Sequence, residues 1–381
     1  VVSDATTRRP ENVAAESVRT VKLPDGELRL GLGLLAGVAD VTSALAPANR
    51  VVVIADETVA SLHLSTLTSG FPKTPLVLTV PSGEAEKSRQ RWAELTDRMI
   101  EAGCGRDTTV VALGGGVIGD LAGFVAATYM RGVPVIQVPT TLLAMVDASV
   151  GGKTAVDVPG GKNLVGAFHP PAVVLADSSV LATLTARQAR AGVAEMLKHG
   201  VLGSGEHFEA VRSAARPLAT KPADAPCGDS IEPLGRLVSD SAAIKAGVVR
   251  EDPLERGRRR VLNFGHTVAH ALEAATGYQL LHGEAVAIGM VIEARIGESM
   301  GISRQGLADD LEHALKDVGL PFALPDSVGY EDLRPWMGLD KKNERGEPAC
   351  ALPRTIGEME PADGRWSVRV PDAVIMKVLA R

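Results

Sequence analysis

What most constrains the fold is an alternation in the first half of the chain. Short runs rich in β-branched and apolar residues recur at 51–55 (VVVIA), 76–80 (LVLTV), 109–113 (TVVAL), 133–138 (VPVIQV) and 173–176 (VVLA), and helical patterns such as 87–102 lie between them. Parallel strands need crossovers long enough to hold a helix, so this spacing predicts βαβ units around a parallel-type sheet. From about Thr185 the texture changes to helical periodicity, over 186–202, 231–250, 267–276, 284–300 and 304–317. The expectation is an α/β domain over residues 1–183 followed by a mainly α-helical domain over 184–381, and a chain of 381 residues is long enough for two cores. The stretch 217–233 (PLATKPADAPCGDSIEP) has no periodicity and reads as a mobile surface loop.

Composition excludes several classes of function. The net charge is −6, so no broad basic field awaits a polynucleotide, and nucleic acid is not an expected partner. The longest apolar runs fall far short of the ~18 residues of a membrane span. The first twenty residues (VVSDATTRRPENVAAESVRT) lack the apolar centre of a signal peptide. A cytoplasmic protein without a membrane partner is expected. Cys104, Cys227 and Cys350 form no C-x-x-C pair and read as isolated thiols in a reducing compartment.

Three local features carry chemistry. The first is TVVALGGGVIGDLAGF (109–124), where a strand runs through Gly114, Gly115 and Gly116 into a helical pattern. Backbone N–H groups at such a turn can meet a phosphate at the positive end of the helix. Asp120, one turn in, is placed to cap the turn or to meet a ribose hydroxyl. Upstream, Glu84 and Lys87 open another helix, where a capping role is the simpler reading. The second feature is histidine density: His266 and His270 in NFGHTVAH, then His282 in HGE. Imidazoles four apart share a helix face and can clamp zinc. The chain lacks H-E-x-x-H, which removes the metalloprotease reading. Glu195 in AEMLKHG is a further candidate ligand, and spacing alone does not choose among the three imidazoles. His63, His169, His199, His207 and His313 read as structural or exposed.

The third feature is a dispersed basic set: Arg131, Lys153, Lys162 beside Asn163, Lys198, Lys245, the run 258–260, and Lys341–Lys342. Lys153 and Lys162 sit in Gly-rich, otherwise apolar segments (GGKT and GGKN), and cations held there need an anion partner. Like charges crowded into a partly dry site also predict that removing Lys153 or Arg259 leaves stability near or above wild type.

In order along the chain, GGGVIGDLAGFVAATYMRG (114–132), VPTTLLAMVDASVGGKTAVD (138–157), GGKNLVGAFHPP (160–171), AEMLKHG (194–200), LNFGHTVAHALE (262–273), LHGEAVAIGM (281–290) and LDKK (339–342) resemble the 3-dehydroquinate synthase family of sugar phosphate cyclases. The resemblance spans roughly residues 30–360. It implies an N-terminal NAD-binding α/β domain, a helical metal-binding domain, an active site in the cleft between them, and a homodimer. It implies zinc, replaceable by cobalt, on Glu195, His266 and His282, with His270 turned to the substrate. It places NAD against Asp56, Glu84, Lys87, Gly115, Gly116, Val117, Asp120, Thr140, Thr141, Asp147 and Lys162, with Thr183 and Thr185 near the nicotinamide end. It places substrate against Arg131 (from the partner subunit), Asp147, Lys153, Lys162, Asn163, Lys198, Lys245, Arg259, Asn263, His270 and the Lys341–Lys342 pair. His270, Asn263, Lys198, Lys153 and Arg259 carry the catalytic expectation.

The implied reaction converts 3-deoxy-D-arabino-heptulosonate 7-phosphate to 3-dehydroquinate and phosphate, in the shikimate pathway. Transient oxidation by NAD precedes phosphate elimination, re-reduction, ring opening and intramolecular aldol closure. The metal polarises the substrate oxygens. The chain departs from the family pattern at Ala269, at Asp56-Glu57-Thr58 and at His199, none of which removes a group that performs chemistry. A sister cyclase making an amino-dehydroquinate, a valiolone or an inosose is the nearest alternative. A metal-dependent polyol dehydrogenase is the next, and it would accumulate NADH.

Overall fold

The computed structural model describes residues 18–24, 26–337 and 347–380. A hairpin of β1 (Arg19–Leu23) and β2 (Gly26–Gly31) leads through α1 (Val38–Leu45) into β3 (Arg50–Asp56), α2 (Glu57–Thr68), β4 (Leu76–Val80), α3 (Arg89–Glu101), β5 (Thr108–Gly114), α4 (Gly116–Thr128) and β6 (Val135–Pro139). A second hairpin, β7 (Lys153–Val158) with β8 (Gly161–Phe168), stands outside the main sheet, and β9 (Val173–Asp177) returns to it.

The seven-stranded sheet has the order β1-β2-β9-β6-β5-β3-β4. All its pairs are parallel except β1 with β2. The chain leaves β3 for β4 on one side and returns to β5 on the other, so the order reverses between β3 and β5. Ligands favour the crevice beyond the carboxyl ends of strands at such a reversal. Asp56 and Gly114 end the two strands that flank it.

The predicted strands are all present, and β6 starts two residues late. Pro134 has no N–H for the ladder, and Val133 N donates instead to Ala126 O at 2.9 Å. Strands buried on both faces split their side chains by alternation. Val53, Ala55, Val111 and Leu113 face one core, and Val52, Ile54, Val110 and Ala112 the other. The first core continues without a break into the helices.

Those helices are α5 (Ala186–Gly203), α6 (Gly205–Ala219), α7 (Glu232–Glu251), α8 (His266–Ala275), α9 (His282–Ser299) and α10 (Leu307–Asp317). The segment 217–233 is not the loose loop its composition suggests. Leu218 still belongs to α6 and is fully buried, as is Cys227. The chain between them is bonded along the start of α5: Ala186 N and Arg187 N donate to Ala225 O and Ala223 O at 2.8 and 3.0 Å, and Cys227 N donates to Leu184 O at 2.9 Å. Backbone pairing of this kind leaves no periodicity for a sequence to show. The three cysteines are buried and form no disulfide with one another. No described helix is long and apolar enough to cross a membrane.

Candidate active site between the sheet and the helices

Three helices meet at a group of metal-type donors. Glu195 on α5, His266 at the start of α8 and His282 at the start of α9 bring one ligand atom each within 4.8 Å of one another. Both imidazole Nε2 atoms lie 3.6 Å from Glu195 Oε1. That oxygen is buried and has no hydrogen-bond partner. A buried carboxylate oxygen left unbonded between two imidazoles fits a cation, and a Glu/His/His set leaves an open position.

The ring orientations are fixed from behind. His266 Nδ1 lies 3.1 Å from Phe264 O, so this nitrogen donates and Nε2 keeps its lone pair. His282 Nδ1 lies 3.6 Å from the carboxylate of Glu273, a carboxylate–imidazole pairing typical of metal sites.

Glycines permit this approach. A β-carbon on Gly283 would lie 1.9 Å from Ala191 O, and one on Gly289 would lie 2.0 Å from Gly265 O. The first contact seats α9 against α5 one turn before Glu195, and the second seats α9 against the entry to α8. Arg187 of α5 then clamps Glu284 of α9 through two bonds of 2.7 and 2.8 Å. Glu293, fully buried in α9, accepts from Gly265 N at 2.9 Å and Val268 N at 3.2 Å, and so answers the open N–H groups at the head of α8. Neither Glu273 nor Glu293 was identified from sequence. The available signals were a Glu seven residues after His266, on the face of both histidines, and a lone acid inside the apolar run VAIGMVIEARIG.

His270 is exposed on that same face, its ring centroid 5.4 Å from that of His266. Lys198, buried one turn beyond Glu195, is ion-paired with it. Burial opposes ionisation of Glu195, but Lys198 holds the carboxyl well below the usual range. Asp147 projects from a π-helical turn over Ala144–Ala148, a distortion common at functional sites. Lys245 reaches its carboxylate at 2.7 Å and its carbonyl at 2.6 Å. Against burial, Lys245 and then Lys198 keep Asp147 ionised. His199 contacts Ser241 Oγ at 2.8 Å and approaches Asp147 at 3.6 Å.

Nearer the sheet, α4 begins at the end of β5 with no side chain capping its N–H groups. Gly115 accommodates Thr141, whose Cγ2 would lie 3.1 Å from an added β-carbon. Thr140 is buried beside this turn and its hydroxyl has no partner, as is also true of Ser149. Val117 lies in the first turn of α4. Asp120 does not cap that turn, because its carboxylate accepts from buried Lys87 at 3.2 Å. Burial pushes the Asp120 carboxyl up to about 6, against the pull of Lys87. Lys87 also reaches Glu84 at 3.2 Å and Asn163 Oδ1 at 2.9 Å. The cap of α3 is Ser88, which accepts from Arg91 N, so Glu84 and Lys87 do not play the capping role read from sequence. Asp56 caps α2 through Val59 N at 2.8 Å, and Thr185 caps α5. Thr183 Oγ1 donates to Val180 O and lies 3.2 Å from His63.

The basic set divides. Lys162 reaches Glu273 at 3.3 Å and covers the Tyr278 ring at 4.4 Å. Lys153 pairs with Glu255, whose other oxygen accepts from Asn263 Nδ2 at 2.9 Å. Arg259 is only 2% exposed, and its guanidinium donates to Pro253 O at 2.6 Å and Gly151 O at 3.2 Å. It therefore fastens two backbone segments, so its removal is expected to cost stability, the opposite of the expectation from sequence. Gly151 has φ 121°, and a β-carbon there would strike the Arg259 guanidinium at 2.5 Å. Arg131 is exposed beyond the end of α4, and its side chain has no hydrogen bond or ion pair among the described residues. Lys341 and Lys342 lie outside the described residues.

A parallel-type sheet with a strand reversal, followed by helices that carry a Glu/His/His donor set, is the architecture of the sugar phosphate cyclases that this structure resembles. The overall structure superposes on 2-deoxy-scyllo-inosose synthase complexed with carbaglucose-6-phosphate, NAD+ and Co2+, with a TM-score of 0.84 and 25% identity over 95% of this chain and 99% of that one. It also matches 2-epi-5-epi-valiolone synthase from Streptomyces hygroscopicus subsp. jinggangensis 5008 with NAD+ and Zn2+ bound, with a TM-score of 0.78 and 28% identity over 97% and 98% of the two chains. In sequence, the 3-dehydroquinate synthase N-terminal family model matches residues 77–191 and the C-terminal model residues 192–343. The 3-dehydroquinate synthase of Symbiobacterium thermophilum (strain DSM 24528 / JCM 14929 / IAM 14863 / T) is 45% identical over 87% of this chain and 91% of its own. The chain belongs to the 3-dehydroquinate synthase family.

Proposed function

We propose that this protein converts 3-deoxy-D-arabino-heptulosonate 7-phosphate to 3-dehydroquinate and phosphate as an NAD- and zinc-dependent carbon–oxygen lyase. The observation that carries the reading is the Glu195/His266/His282 donor set, with Glu195 Oε1 buried and unbonded between two imidazoles, in a chain of this family. Identity of 45% to a 3-dehydroquinate synthase, against 25% and 28% to the inosose and valiolone synthases, favours this substrate over those of the sister cyclases.

Glu195, His266 and His282 would hold zinc, or cobalt in its place, and the metal when bound supplies Lewis-acid polarisation of substrate oxygens. The uncapped head of α4 at Gly115, Gly116 and Val117, with the unpartnered Thr140 hydroxyl, would take the NAD pyrophosphate. Bound NAD supplies the oxidation and its reversal. Asp56, Glu84, Lys87, Asp120, Thr141, Asp147, Lys162, Thr183 and Thr185 complete that side. On the substrate side, Lys153, Asn163, Asn263 and the Lys341–Lys342 pair would receive the anionic groups, with Lys162, Lys198, Lys245 and Asp147 on the remaining polar atoms. Arg259, which donates to the segments that carry Lys153 and Glu255 and whose Nε has no partner, would join those groups on the phosphate. His270, exposed on the ligand face of α8, would move protons at the ring hydroxyls.

The active site would lie between domains 1–183 and 184–381, in a cytoplasmic homodimer. Leu164 and Phe168 are 42% and 54% exposed on one face of β8, and His169, which follows, bonds Val133 O close to Arg131. A second copy covering that face would bring Arg131 toward a neighbouring site.

The test is a panel of sugar phosphates and phosphorylated sugar acids given to the NAD- and zinc-loaded protein, scored for phosphate release and for the mass of the carbocyclic product. Release from the seven-carbon sugar acid, with 3-dehydroquinate formed, is expected. Preference for a hexose phosphate, or for a seven-carbon ketose phosphate that lacks the carboxylate, would give the role to a sister cyclase.

A further inference from the structure

We propose that Glu255 is an internal anion that occupies the phosphate pocket in the absence of substrate and that an incoming phosphate must displace. The inference rests on the reading of Lys153 and Asn263 as phosphate-binding groups. One Glu255 oxygen pairs with Lys153, and the other accepts from Asn263 Nδ2 at 2.9 Å. Two oxygens on one carbon thus meet an ammonium and an amide N–H, as two oxygens of a phosphate would. The Glu255 side chain is only 13% exposed, against 53% for Lys153. Its charge also acts on the buried Arg259 guanidinium.

The backbone holds the carboxylate in this position. Glu255 has φ 58°, in the left-handed region that residues with a β-carbon rarely adopt. The turn is tied down by Asp252, whose carboxylate accepts from Arg256 N at 3.0 Å, Gly257 N at 2.7 Å and Arg259 N at 3.1 Å. Cations gathered in a partly dry cleft are unfavourable unless paired. Glu255 supplies that pairing before substrate arrives. A carboxylate and a phosphate dianion cannot both sit against the same ammonium without strong repulsion, so one replaces the other. The device weakens phosphate binding, which favours release of the phosphate produced.

The test uses the full chain loaded with NAD and zinc, with inorganic phosphate as the probe. Its inhibition constant and its calorimetric Kd are measured in wild type and in Glu255→Gln, which keeps the shape and removes the charge. Phosphate should bind the variant at least about tenfold more tightly, a shift of ~1.4 kcal/mol, and KM should fall more than kcat. Glu255→Gly, which suits the left-handed backbone, carries the same expectation and replaces the first variant if that one does not fold. Unchanged or weaker phosphate binding would overturn the inference. Lys153→Met separates the two levels. If it abolishes phosphate binding while loss of the Glu255 charge changes nothing, only the competing-anion inference fails. If it leaves phosphate binding intact, the pocket assignment fails, and this inference with it.

Discussion

Gly283 gives the sharpest test of how the metal centre is assembled. A β-carbon at 283 would lie 1.9 Å from Ala191 O and 2.5 Å from the adjoining carbon. Ordinary contact begins near 3.4 Å, so α9 must retreat from α5 by about 3.4 − 1.9 = 1.5 Å, unless the backbone deforms. His282 is the residue before it on α9, and Glu195 lies one turn beyond Ala191 on α5, so the retreat acts on the separation of two proposed ligands. Metal–ligand distances tolerate only about ±0.2 Å. Gly283→Ala should therefore weaken zinc binding by roughly 10–100-fold, the range seen when the support of a ligand is lost. Overpacking should also lower stability by about 1–3 kcal/mol. Gly203→Ala, at the end of α5 with nothing within 4 Å of the added carbon, is the control and should match wild type in both respects. The assay is zinc affinity by competition with a chelator, together with the melting temperature of the metal-free protein. Wild-type zinc affinity in Gly283→Ala would refute the claim that this contact sets the ligand geometry.

Two further outcomes follow from the buried polar groups. Arg259→Met leaves Pro253 O and Gly151 O without their donor and should destabilise the fold by roughly 2–4 kcal/mol, read by denaturant unfolding; a variant as stable as wild type would mean that these bonds are replaced. His207, on α6, is pushed down to about 4, by burial first and then by His199, and its Nε2 has no partner. An unfolded chain binds a proton at this imidazole near pH 6.5, so between pH 6.5 and 4 the unfolded state takes up more protons and stability falls as pH falls. Above pH 6.5 the group contributes no slope. His207→Gln should flatten the dependence of melting temperature on pH across that window, and an unchanged slope would assign it to other groups.

The sequence carried the sheet well and the site unevenly, for physical reasons. Strands buried on both faces read as unbroken apolar runs, so β3 to β6 and β9 were legible. The β1–β2 and β7–β8 hairpins were not, because the latter begins at Lys153 and carries Lys162 and Asn163, which read as a ligand-binding set. Spacing placed His266 and His270 on one helix face but could not say that His282 and Glu195 would join His266. That depends on Gly283 and Gly289 letting three helices touch. Glu273, Glu293 and Glu255 act through contacts between segments distant in sequence, or through a strained turn, and a single acid in a helix or loop gives no sign of such a partner. Arg259 was found as a candidate ligand group, but its bonds to two carbonyl oxygens were not legible, because a cation in a loop shows no sign in sequence of which distant backbone segments it will fasten.

The most direct measurement follows phosphate release and absorbance at 340 nm in the same cuvette, with the zinc-loaded protein, catalytic NAD and the seven-carbon sugar-acid phosphate. In the proposed reaction the cofactor is oxidant and then reductant within one turnover. Phosphate should therefore accumulate over many turnovers with no net rise in NADH. One NADH per substrate consumed would make the protein a dehydrogenase, and no phosphate release would contradict the proposed function outright.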